Sequence, residues 1–116
     1  MARRINKTFT SSAGNNNTRT AVITGSAGRR LRIYAIHAQK TSASGASKVA
    51  FWFSGENSAR LVRSLLDPNG NSVPVVKDMG ESYWLGVAGD SFQYQQVDGA
   101  AGGAGDIEIS VDYDWE

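Results

Sequence analysis

The final eleven residues, Asp106-Ile107-Glu108-Ile109-Ser110-Val111-Asp112-Tyr113-Asp114-Trp115-Glu116, alternate polar and apolar without interruption. This is the period of a β-strand with Ile107, Ile109, Val111, Tyr113 and Trp115 on one face and the acids, with Ser110, on the other. A segment this regular is expected to be part of a sheet with one buried side. Its acids also belong to a division of charge along the chain. Residues 1–63 carry eleven of the twelve Lys and Arg and a single acid, Glu56, for a balance of +10. Residues 64–116 carry Lys77 against ten acids, for −9. The net charge of +1 therefore hides a bipolar chain, able to satisfy its charges within itself or on a second copy without another charged ligand.

The other segments read as strands of the same kind. Residues 18–24 are rich in β-branched side chains. Residues 30–39 set Leu31, Ile33 and Ala35 against Arg32 and Tyr34, and residues 48–54 set Val49, Phe51 and Phe53 on one face. With the small-residue stretch 41–47 between them, these two are expected to form a hairpin with a long loop. Residues 60–66 fit either a strand or a turn or two of helix. Asp67-Pro68-Asn69-Gly70 is strong turn chemistry. Pro74 restricts residues 73–77 to a sheet edge or a connection. Residues 82–87 and 91–96, joined by Ala88-Gly89-Asp90, predict a tight hairpin. Eight or nine short strands, with turn signals between them and no long helix, predict an all-β antiparallel sandwich, jelly-roll-like. The division expected is a basic N-terminal arm and loop, 1–17, followed by one sandwich domain, 18–116.

The residues for common chemistries are sparse. With no cysteine and one histidine, His37, neither a disulfide nor a zinc site can be assembled, and no metal or cofactor is expected. A lone strand histidine reads as solvent-facing or hydrogen-bonded rather than catalytic, and no enzyme is expected. The glycine-rich residues 98–105 lead into a strand, whereas a phosphate cradle needs a helix N-terminus after it. Glu108 and Asp112 share a strand face at roughly 13 Å, too far for a glycosidase pair, and Asp112 and Asp114 lack the closely spaced loop ligands of a calcium site. The sequons at Asn6 and Asn16 read as chance, because no secretory signal accompanies them. No apolar run approaches a membrane span.

The candidates that remain are for binding. Trp52 is out of phase with Phe51 and Phe53, and Trp84 sits between Tyr83 and Leu85, so one residue of each set is expected to point away from the core. Arg3, Arg4 and Lys7 in the arm, and Arg29, Arg30 and Arg32, could meet phosphates, but the acidic C-terminal strand is a nearer counter-surface, which ranks self-association above nucleic acid. The expected partner interface comprises Arg3, Arg4, Lys7, Trp52, Tyr83, Trp84, Asp112, Asp114 and Trp115.

Gly28-Arg29-Arg30-Leu31-Arg32-Ile33-Tyr34, then small residues, then Lys48-Val49-Ala50-Phe51-Trp52-Phe53-Ser54-Gly55, resembles small virion proteins of tailed bacteriophages. Gly80 to Leu85, Ala88 to Phe92 and Gly103 to Tyr113 continue the pattern, so the resemblance covers about residues 18–115, in spacing and texture. It implies a capsid decoration or cement protein, typically a homotrimer, seated on the major capsid protein at the exterior of the virion and made in the host cytoplasm. It implies no catalytic residue. The rival reading is a carbohydrate-binding sandwich that stacks sugars on Trp52, Trp84 or Trp115; a third, a small hydrolase, would require His37 or a single carboxylate.

Overall fold

A computed structural model describes residues 4–11, 19–40, 47–65, 75–97 and 107–116. Nine strands run through them: β1 (Ile5–Ser11), β2 (Thr20–Ile23), β3 (Leu31–Lys40), β4 (Ser47–Phe53), β5 (Leu61–Leu65), β6 (Val75–Asp78), β7 (Trp84–Leu85), β8 (Phe92–Val97) and β9 (Ile107–Trp115). They form two antiparallel sheets, β1-β9-β3-β6 with β7 also on β3, and β2-β8-β4-β5. The chain is an antiparallel β-sandwich, as its alternation predicts.

The pairing is nested. β4 pairs with β5, β3 with β6 and β7, β2 with β8, and β1 with β9, as though one long hairpin had been rolled so that successive pairs fall in opposite sheets. Contacts of β9 with β3 and of β8 with β4 then close each sheet. This is jelly-roll order. It overturns both expected hairpins: β3 and β4 lie in different sheets, as do β7 and β8. Each of these strands buries an apolar face, and two such faces can meet across the sandwich as readily as two edges can meet within a sheet. Residues 60–66 resolve as strand β5 over Leu61–Leu65, and β6 lies at a sheet edge. The turn at 67–70, Pro74 and the glycine-rich residues 98–105 lie outside the described residues.

The N-terminal arm is a correction of another kind. Residues 5–11 pair along β9 in unbroken register, from Ile5 opposite Tyr113 to Ser11 opposite Ile107, so the segment is a strand of the first sheet. Its weak alternation is that of an edge strand, where only Phe9 is drawn against the core, its ring 5.3 Å from that of Tyr94.

Between the sheets lie Leu31, Ile33, Ile36, Ala38, Ile107, Ile109 and Val111 from one side and Val49, Phe51, Phe53, Phe92 and Tyr94 from the other. Phe92 is central, within 5.4–6.3 Å of the rings of Phe51, Phe53 and Trp84. The strip on β3 departs from strict alternation. Tyr34 is an extra residue between the pairs Ile33–Tyr113 and Ala35–Asp112, a β-bulge that re-phases the strand. Ile36 and Ala38 therefore face the core, and Ala35, expected inward, faces out.

At one end of the sandwich, Gly25 lies against the turn 88–90. A Cβ at Gly25 would collide with the Gly89 carbonyl oxygen, so only glycine fits there.

Candidate functional site

The outer face of the first sheet carries the polar residues that β9 alternates away from the core. The register places them in rows across the strands: Asn6, Asp112, Ala35 and Asp78; then Thr8, Ser110, His37 and Val76. Because the bulge turns Ala35 outward, its methyl group is all that stands between Asp112 and Asp78, two strand spacings or about 10 Å apart. A groove of about 190 Å³ opens over these rows. It adjoins a wider one of about 840 Å³, lined by Arg4, Arg32, Tyr34, Asp78, Gly80, Glu81 and Asp114.

Asp114 anchors the wider groove. Although it is on the outer face it is buried, at 3% exposure. Arg32, its cross-strand neighbour, donates Nε to Oδ1 at 2.6 Å and a terminal nitrogen to Oδ2 at 2.9 Å. The Tyr34 hydroxyl donates to the same carboxylate, 3.0–3.1 Å from its oxygens. Burial first, and then the hydrogen bond to Asp114, hold the Tyr34 hydroxyl above its ordinary pKa. The hydrogen bond to Asp114 raises Arg32 further still, against desolvation. Alternation along β3 already sets Tyr34 on the face that carries Arg32, and the bulge follows it by turning Ala35 to the same face.

Arg4 completes the groove, its guanidinium 3.9 Å from the centre of the Tyr34 ring and donating to the Gly80 carbonyl at 2.7 Å. Asp78 accepts the Gly80 N–H at 2.8 Å, which holds the turn that Arg4 reaches. Tyr83 leans edge-on against Tyr34 at 5.5 Å and is 41% exposed. Val76, which lines the smaller groove, is 62% exposed. Farther along, Asn6 donates to Asp112 at 2.6 Å and to the Ser110 hydroxyl at 2.9 Å.

A second cluster ties the opposite sheet. Arg19 lies 4.2 Å over the Trp52 ring and donates to the carbonyls of Phe53 and Glu56 and to the side chain of Gln93. The one early acid, Glu56, accepts from Arg60 and from the Phe53 N–H, so it fastens the turn between β4 and β5. The Trp52 indole N–H is buried without a partner.

The expected interface residues thus separate. Arg4, Tyr83, Asp112 and Asp114 share the outer face of the first sheet, with Asp114 enclosed by Arg32 and Tyr34 rather than offered to a partner. Lys7 is exposed on the edge strand β1. Trp84 and Trp115 are half-buried against the core, Trp115 with Arg29 5.0 Å over its ring, and Trp52 is capped by Arg19 on the other sheet. Arg3 lies outside the described residues. His37 faces Ser110 across the strands, but no hydrogen bond joins them. Sequence reasoning did not single out Tyr34, Asp78 and Val76. Alternation set Tyr34 beside Arg32 but could not show that both meet Asp114 across the strands, and nothing in a four-residue strand predicts the neighbours of Asp78.

No protein-family model matches the chain, and no curated protein matches it in sequence.

Proposed function

We propose that this protein is a virion structural protein of a tailed bacteriophage, a decoration or cement sandwich that docks on the major capsid protein and braces the shell. The observation that carries this reading is the nested strand order, since double-sheet jelly rolls of this kind recur in viral capsid and lectin domains. Between those two classes the aromatics favour the capsid reading. A sugar platform needs an open indole face, and here Trp52 lies under Arg19 while Trp84 and Trp115 pack on the core. The docking face is the outer side of the first sheet, where exposed Val76 and Tyr83 stand beside Asp78, Glu81 and Asp112. Apolar contacts at its centre and acids around them suit a basic rim on a shell subunit.

The test is co-sedimentation with capsid shells of the parent phage assembled without this protein, using the native chain and Val76→Lys. The native chain is expected to sediment with shells and the variant, unaltered in fold, to remain in the supernatant. Failure of the native chain to bind shells, or glycan binding abolished by Tyr83→Ala, would overturn the reading.

A further inference from the structure

The two sheets end in edge strands, and three of these edges are blunted. β2 is four residues long and broken by a bulge at Val22. β6 is four residues and β7 two, and β5 lies against β6 where the sheets meet. β1 differs. It is seven residues without proline, glycine or bulge, and it holds perfect register with β9 on its inner side. On its other side no backbone partner is present among the described residues, and Ile5, Asn6, Lys7, Thr8 and Thr10 are all exposed. A regular strand with one free row of N–H and C=O groups is a template for another strand. It is also held in place: Arg4 is fixed to Gly80, Asn6 to Asp112 and Ser110, and Phe9 to the core. The edge is thus presented ready-formed, so pairing on it costs little ordering entropy.

We propose that β1 pairs antiparallel with β1 of a second copy about a two-fold axis at Thr8, joining two five-stranded sheets into one of ten. The sequence of the strand selects this partner and this register. Centring on Thr8 engages all seven residues: Ile5 opposite Ser11 of the second copy, Asn6 opposite Thr10, Lys7 opposite Phe9, and Thr8 opposite Thr8. Threonine pairs are favourable across strands, and the Lys7 stem can lie along the Phe9 ring with its ammonium in solvent. Slipping the axis to Lys7 would set the strand's one charge against itself, so Lys7 acts as a register guard. The arrangement is isologous and closes as a dimer. It uses the edge of the sheet whose outer face is proposed to dock on the shell, and it does not depend on that docking.

The test begins with sedimentation equilibrium of the full chain over a wide concentration range, where a monomer–dimer equilibrium is expected. Thr8→Lys and Thr8→Glu, each placing like charges across the axis, should weaken the dimer about tenfold or more separately. Mixing the two variants should restore it as a heterodimer. Because the chain has no cysteine, Thr8→Cys reads the register directly. Opposed Cα atoms lie about 4.5–5.5 Å apart, within disulfide reach, so oxidation should yield a covalent dimer. Thr10→Cys, about 14 Å from its own copy in this register, should not cross-link. Far-UV spectra confirm that each variant is folded. A monomer at every concentration, an oligomer indifferent to the Thr8 charges, or cross-linking through Thr10 instead of Thr8 would overturn the proposal.

Discussion

Asp112 and Asp114 are two residues apart on the same face of β9, and on sequence grounds they are equivalent. The structure makes them very different. Asp114 is 3% exposed and receives hydrogen bonds from Arg32 and from the buried Tyr34. Removing its carboxylate in Asp114→Ala takes the acceptor from the Tyr34 hydroxyl and leaves the Arg32 guanidinium without its carboxylate partner. Breaking a buried charged pair from one side costs about 3–5 kcal/mol, and the lower end applies here because the Arg32 side chain keeps 18% exposure and can turn to solvent. Asp112→Ala removes a contact with exposed Asn6, worth about 1 kcal/mol or less. With a urea slope of about 1.5 kcal/mol/M for a domain of this size, the midpoints should fall by about 2 M for Asp114→Ala and by about 0.7 M or less for Asp112→Ala. Equilibrium urea unfolding followed by tryptophan fluorescence and far-UV circular dichroism measures both. Equal shifts in the two variants, or a change at Asp114 under about 1 kcal/mol, would refute the claim that this cluster organises the face.

Three further outcomes are expected. Gly25→Ala drives a Cβ into the Gly89 carbonyl and should cost about 1–3 kcal/mol in thermal or urea unfolding, whereas Gly55→Ala, whose nearest atoms are the Asp90 carboxylate oxygens at 3.3 Å, should cost clearly less. Deleting residues 1–10 removes most of β1 and exposes the β9 edge, so the truncated chain should lose cooperative unfolding or melt far below the full chain in calorimetry. The raised Tyr34 hydroxyl stabilises the fold in its protonated form. That contribution is complete below the ordinary tyrosine value of 10.0 and is lost as pH rises through the higher folded value, so the unfolding midpoint should drop on the alkaline side of pH 10, and less so in Tyr34→Phe.

What the alternation could reveal was the existence of strands and their buried faces, because a period of two is a local property. β9, β4 and the first half of β3 are legible in this way. Partner choice is not local. β3 and β4 carry equally apolar faces, and nothing in either segment distinguishes pairing side by side from packing face to face across the sandwich. The bulge at Tyr34 was hidden for a similar reason: one added residue costs little in the sequence pattern but exchanges the faces of Ala35 and Ile36. Asp114 was assigned to the correct face. Its burial was beyond reach, since the covering groups come from the bulge at Tyr34 and from Arg32 on another strand.

The charge division and the nested topology are connected. Rolling one long hairpin brings the first strand beside the last and the third beside the last as well, so an early basic segment and a late acidic one necessarily become neighbours in one sheet. Arg32 meets Asp114 and Arg30 meets Glu116 by this route. The first pair is largely shielded from solvent; the second, at 3.9 Å with both side chains about half exposed, contributes little. These two pairs join early cations to late acids within one sheet and use none of the charge on β1. Pairing at β1 is made of backbone hydrogen bonds and places Lys7 opposite Phe9, so the dimer should respond weakly to salt. Sedimentation equilibrium at about 50 mM and about 500 mM sodium chloride, across which the screening length falls from roughly 14 to 4 Å, should give dissociation constants within about threefold of each other. A loss of affinity by tenfold or more would place the contact energy in exposed charge instead, and would mean that the two halves of the chain complement each other between copies rather than within one.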